Sequence, residues 1–267
     1  MTASLMMYDQ PEVVQRANDA LWAAIRDGLY ERNQEAPQVL KRGGIYDSYW
    51  LDPHLSFAQT CGYPYVSKLK GKVRLVATPV FSYPGGSGAR RASYIVVAEN
   101  SDAKSLSDLK GKRAAINDRL SNSGMNLFRA AIAPLAGGQP FFAFVIVTGG
   151  HLNSIAAIRE GRAEVAAIDS ITWALHARHA PAKIAGVRII GETPMGPGLP
   201  YITKGTASDE RMAALRESLS DAIADPALEK ALDVLGLTGI EILDDGDYAE
   251  LERLRDEALR LGYPKVA

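Results

Sequence analysis

The 267-residue sequence has one cysteine, Cys61, four histidines and no apolar stretch long enough to cross a bilayer. A single cysteine excludes an internal disulfide framework and leaves the compartment open. The histidines at 54, 151, 176 and 179 have no Cys or Glu neighbours at metal-ligand spacing. His176 and His179, at i and i+3, therefore read as a solvated helix end, and no metal or cofactor is expected. A bilayer span takes about 18 or more consecutive apolar residues, so no membrane insertion is expected. With a net charge of −1, no basic field recruits nucleic acid or an anionic membrane. No base stands beside Cys61 in sequence to activate its thiol, and no acid/base pair is evident. The N-terminus lacks a basic region followed by an apolar core. The chain thus reads as cytoplasmic as written, or periplasmic if an export signal has been removed.

What is present is an ordinary globular composition, 47% hydrophobic and 23% charged, at a length that suits one large or two medium domains. Ala3–Tyr8 reads as a first strand. Val14, Ala17, Leu21, Ala24, Ile25 and Leu29 recur at helical spacing behind a Pro near the helix start. Gln38-Val-Leu suggests a short strand; Leu55–Gln59, Val73–Ala77 and Ser93–Ala98 read as further strands. From Lys112 to Ile190 strands alternate with helices of about 8–14 residues, the signature of βαβ units and a mainly parallel sheet. Ser105 and Asp108 have capping-box spacing. The remainder, from Ser208, reads as helical. Two Gly/Pro-rich breaks, 82–91 and 191–200, flank the alternating segment. They imply two lobes, residues 93–191 and a discontinuous lobe of 1–92 plus 192–267, with a ligand cleft between them.

In such sheets ligands sit where strand ends lead into helix starts. Three loops fit: Ser121–Gly124, Gly149–His151 and Asp169-Ser170. The first, Asp118-Arg-Leu-Ser-Asn-Ser-Gly124, is either an ordinary N-cap or an anion cradle in which helix-start N–H groups and the helix dipole favour negative charge. Asp169 and Ser170 equally suit a plain cap, and His151 either caps its helix or faces a ligand. An oxyanion head needs donors, which the Asn122–Gly124 N–H groups, the Ser121 and Ser123 hydroxyls and the His151 ring offer. Arg90-Arg91 reads as a solvated loop pair.

Ser105-Leu-Ser-Asp-Leu-Lys-Gly-Lys-Arg113, the tetrapeptide Ser121–Gly124, Gly-Gly-His151 and Glu164-Val-Ala-Ala-Ile-Asp-Ser170 together resemble the phosphate/phosphite/phosphonate-binding proteins of ABC transporters. That resemblance implies a two-lobed type II periplasmic-binding-protein fold, each lobe a mainly parallel sheet flanked by helices. It places Ser121, Asn122, Ser123 and Gly124 on an oxyanion loop and His151 on the ligand. It adds Thr60, Cys61, Gly62 and Tyr63 as a strand-to-helix turn facing the ligand, and Ser93 on an interlobe strand. Tyr94 and Tyr8 join as candidate cleft residues, with Asp169 and Ser170. Asn122 stands where Thr or Ser is usual, and Leu152 where Asp often follows the His. The implied function is capture of a small anionic ligand for transport or sensing, with an ABC permease as partner. The alternative is a cytoplasmic enzyme on the same fold, of the kind found in menaquinone- or thiamine-precursor biosynthesis.

Overall fold

A computed structural model describes residues 1–267, the side chain of Tyr46 excepted. The strands are β1 (Thr2–Ser4), β2 (Leu55–Gln59), β3 (Val73–Phe81), β4 (Gly86–Ser87), β5 (Arg90–Arg91), β6 (Ser93–Ala98) and β7 (Arg113–Ile116). They continue with β8 (Phe144–Val147), β9 (Val165–Asp169), β10 (Val187–Glu192), β11 (Gly196–Pro197), β12 (Tyr201–Lys204) and β13 (Leu237–Glu241). The helices are α1 (Glu12–Glu31), the single turn α2 (Gly62–Pro64), α3 (Leu127–Ala136), α4 (His151–Arg159), α5 (Ser170–His179), α6 (Asp209–Ala224), α7 (Glu229–Leu235) and α8 (Asp245–Arg260).

The chain forms two compact units. Unit 1 comprises residues 1–82, 87–89 and 198–247; unit 2 comprises 83–86, 90–197 and 248–267. The tail differs from the sequence expectation, because residues 248–267 pack in unit 2. Backbone groups hold them there: the Ala267 carbonyl accepts from Phe141 and Phe142 N–H at 2.7 and 2.9 Å.

In unit 1 the sheet order is β1-β2-β12-β3-β13. Only β1 and β2 pair in parallel; β12 is antiparallel to both β2 and β3, and β13 to β3. The sheet is therefore mixed, where a mainly parallel one was expected. The strand β13 was missed within a stretch read as helical. The amphipathic face of α1 buries Val14, Leu21, Trp22, Ile25 and Leu29. Trp22 stacks on Phe57 at 5.8 Å, and Phe57 meets Tyr201 at 4.9 Å, tying helix to sheet. Gln38–Leu40 forms no strand, and the expected first strand ends at Ser4, with one helical turn at Met6–Tyr8.

In unit 2 the order is β10-β6-β9-β7-β8. Here β7 is parallel to both β8 and β9, while β6 runs against β9 and β10. Ile155 and Ile158 of α4 pack on Val96, Ala115, Ala166 and Ile168 of the strands. Arg90-Arg91 is not a solvated loop pair: it forms β5, paired with β11, and Arg91 is buried with its guanidinium on the Tyr83 carbonyl at 2.8 Å. Arg90 forks onto Glu250 at 2.6 and 2.7 Å. His176, expected in solvent, is buried with Nδ1 2.8 Å from the Thr172 carbonyl oxygen.

Candidate functional site

Three parallel strands lying side by side, in the order β9-β7-β8, bring their carboxyl ends to one edge of the unit 2 sheet. The loops leaving them are 117–124, 148–151 and Asp169-Ser170. The antiparallel register sets Ser93, at the start of β6, directly across from Asp169. Thr193 joins there, its N–H donating to the Ser93 carbonyl and its Oγ1 accepting from the Ser93 N–H, both at 2.9 Å. Topology alone thus gathers polar residues from five strands.

The first loop is a cap and something more. Ser121 Oγ accepts from the Gly124 N–H at 3.0 Å, the usual first-turn satisfaction. The chain then takes one wide turn over Asn122–Asn126, with the Asn126 N–H reaching the Ser121 carbonyl at 3.0 Å, before α3 begins. Turns of this width inside helices concentrate at functional sites. All five residues of the turn are buried. The Gly124 N–H is therefore taken by the cap, which leaves fewer backbone donors than the sequence suggested.

Ser123 Oγ lies 2.9 Å from His151 Nε2, so the first two loops meet through a hydrogen bond. His151 is the first residue of α4. Gly149, at φ 84°, makes the preceding turn that a side chain would strain. Burial holds the His151 pKa below its ordinary 6.5, against an opposing pull from the Asp169 carboxylate and the Ala167 carbonyl. The ring is accordingly neutral at physiological pH. Asp169 itself caps α5, accepting from the Ile171 and Thr172 N–H groups at 3.0 and 2.8 Å. Ser170 Oγ donates to the Gly85 carbonyl at 3.3 Å, and a Cβ on Gly85 would stand 2.8 Å from the Tyr94 hydroxyl. Tyr94 and Ser170 are thus neighbours across Gly85.

Beneath the loop runs a buried polar chain absent from the expected set. Asn126 Nδ2 donates to Asn122 Oδ1 and to the Leu251 carbonyl, each at 3.2 Å, and Arg129 donates to Asn126 Oδ1 at 2.5 Å and to the Pro264 carbonyl at 3.0 Å. The available signal was Arg129 inside an otherwise apolar helix face, three residues after Asn126. Asn117 was also missed; its Oδ1 is buried without a hydrogen-bond donor.

The unit 1 candidates form a separate group. Thr60 is fully buried, its N–H on the Pro200 carbonyl at 3.0 Å and its hydroxyl 3.4 Å from the Cys61 carbonyl. Cys61 precedes α2 without capping it, and Gly62 and Tyr63 are buried in that turn. Tyr8, at the end of its helical turn, sets its ring edge-on to Phe81 at 5.8 Å. Among the described residues no group of three or more His, Cys, Asp or Glu is placed to hold a metal ion, and no helix is long and apolar enough to cross a membrane.

Strand-end loops on mixed α/β sheets in two units are the architecture of periplasmic binding proteins, and solved structures of that class match nearly the whole chain. A binding component of a phosphonate ABC transporter from Pseudomonas aeruginosa matches with a TM-score of 0.76 at 17% identity, over 98% of this chain and 87% of its own. A Xanthomonas citri protein solved with chloride ion gives 0.73 at 17% identity, over 98% of each chain. The PhnD1 protein of Prochlorococcus marinus, solved with methylphosphonate, gives 0.71 at 15% identity, over 97% and 98%. No curated protein sequence matches. Residues 52–248 match the family described as "ABC transporter, phosphonate, periplasmic substrate-binding protein", and the chain belongs to that family. Its members are the substrate-binding components of ABC transporters, not enzymes, which sets the biosynthetic alternative aside.

Proposed function

We propose that this protein captures a small ligand through a phosphonate-, phosphite- or phosphate-like head and presents it to a partner ABC permease. Capture takes place in the periplasm, the compartment of the family. The observation that carries the reading is the Ser123–His151 pair on an edge where three parallel strands end. The pair holds a hydroxyl and an imidazole edge side by side for a ligand oxygen. A neutral donor set suits an anion in a protein of net charge −1, because helix-start dipoles and hydroxyls supply the attraction. Unit 2 contributes Ser121, Asn122, Ser123, Gly124, His151, Ser93, Tyr94, Asp169 and Ser170. Tyr8, Thr60, Cys61, Gly62 and Tyr63 of unit 1 are a second, weaker group of candidates. The methylphosphonate and chloride of two structural relatives, both anions, support this chemistry.

The test is a thermal-shift and calorimetric panel of phosphate, phosphite, methylphosphonate and an aminoalkyl phosphonate, with sulfate and an alkylsulfonate as controls. A ligand at 100 times its Kd stabilises by about 2.7 kcal/mol. No shift from any phosphorus oxyanion at millimolar concentration overturns the reading.

A further inference from the structure

Asn117 follows the last residue of β7, with its backbone carbonyl accepting the Gly149 N–H at 2.9 Å. It therefore stands where the first and second strand-end loops join. Its Oδ1 is buried and meets no hydrogen-bond donor. A Cβ built on Gly124 would collide with that oxygen and stand 3.1 Å from His151 Cε1. Oδ1 thus shares the space beside the Gly124 Cα with the edge of the imidazole ring, where only weak C–H donors are offered.

A buried carbonyl oxygen without a donor is costly, and such a group calls for an explanation. The other end of the amide supplies one. Nδ2, unlike Oδ1, is not among the buried polar atoms left without a partner. The oxygen faces inward beside Gly124, and the amide nitrogen lies on the other side of the side chain.

We propose that Asn117 is a further ligand contact, its Nδ2 donating to an oxygen of the oxyanion held by the Ser121–Gly124 loop and His151. The proposal rests on the anion-binding reading above. It also explains the glycine at 124, since any side chain there would displace the Asn117 amide.

The experiment compares wild type, Asn117→Ala and Asn117→Asp by calorimetry with the phosphorus-oxyanion panel, with melting curves to establish folding. The expected order is wild type, then Asn117→Ala weaker by at least about tenfold, then Asn117→Asp weaker still, because a carboxylate repels the anion. A purely positional role reverses that order, since Asp matches the shape of Asn and Ala does not. Asn117→Asp binding as well as wild type, or better than Asn117→Ala, overturns the proposal while leaving the anion-binding reading intact. Wild type that binds no oxyanion overturns both.

Discussion

Each unit carries one wide helical turn directly after a strand-end candidate loop, and the two turns are used differently. In unit 2, Ser121 caps the turn through its side chain, and Asn122–Asn126 runs on into the ten-residue α3. In unit 1, Cys61 makes no side-chain cap, and Tyr65–Leu69 stops at once, with the Lys70 N–H closing on the Tyr65 carbonyl at 2.8 Å. A wide turn that opens a full helix aligns its peptide dipoles behind the loop; one that stops has little behind it. Side chains follow the same division. Unit 2 sets Ser123 against His151, whereas the unit 1 turn buries Tyr63 and Tyr65, with Tyr65 hydrogen-bonded to Asp245 and its hydroxyl pKa pushed up by burial. On the proposed reading the unit 2 turn serves the anion, and the unit 1 turn serves packing.

The sharpest way to break that contrast is Ser123→Leu, which removes a hydroxyl and fills the loop. Oxyanion affinity should fall about a hundredfold or more while the melting curve stays cooperative. Retained affinity would reduce the loop to a structural cap. Gly124→Ala comes next. Its new Cβ overlaps Asn117 Oδ1, so stability should drop by about 1–3 kcal/mol in denaturant titration, with binding weakened too.

Acid should separate the units further. Burial holds both His151 and His176 below 6.5, and both lie in unit 2. The folded state then binds fewer protons than the unfolded chain, so their contribution is whole above that value and declines as pH falls below it. Melting temperature should decrease from neutral pH to about pH 5, with hydrogen-exchange protection lost first in unit 2. The double variant His151→Gln, His176→Gln should flatten that slope; an unchanged slope removes these rings as its cause. Asp169→Ala, which removes the carboxylate oxygen that accepts two N–H groups at the start of α5, should cost about 1 kcal/mol.

Much of this division is legible in the sequence because caps and strand ends are local. Ser208 and the bounds of α6 follow from a Ser before an acidic first turn, and the Ser105–Asp108 capping box forms as its spacing implies. The three loops were found by the same local logic. What escaped depends on distant partners. The strand β13, Leu-Thr-Gly-Ile-Glu, has a glycine at its centre and gains its identity only by pairing with β3, more than 150 residues earlier. Arg91 and Arg129 read as surface residues by type, yet each is buried with its guanidinium on a carbonyl from a distant or neighbouring segment, and His176 is buried against the Thr172 carbonyl of its own helix. Asn117 carries no signal at all in one dimension. Its buried Oδ1 appears only once the chain has brought Gly124 and His151 beside it.

The smallest effect is the most discriminating for unit 1. Thr60→Val keeps the side-chain shape and deletes the hydroxyl. That hydroxyl is directed at the Cys61 carbonyl at a long 3.4 Å, and the same carbonyl already accepts the Tyr65 N–H at 3.1 Å. Losing the donor therefore strands no acceptor, and stability should change by less than about 1 kcal/mol. Because the hydrogen is engaged within its own turn, oxyanion affinity should fall about threefold or less, against the collapse expected for Ser123→Leu. Parallel titrations of the two variants with the same ligand measure that ratio directly. A loss of tenfold or more on Thr60→Val would mean that the hydroxyl leaves the Cys61 carbonyl for the ligand, and unit 1 would then share the anion chemistry now assigned to unit 2.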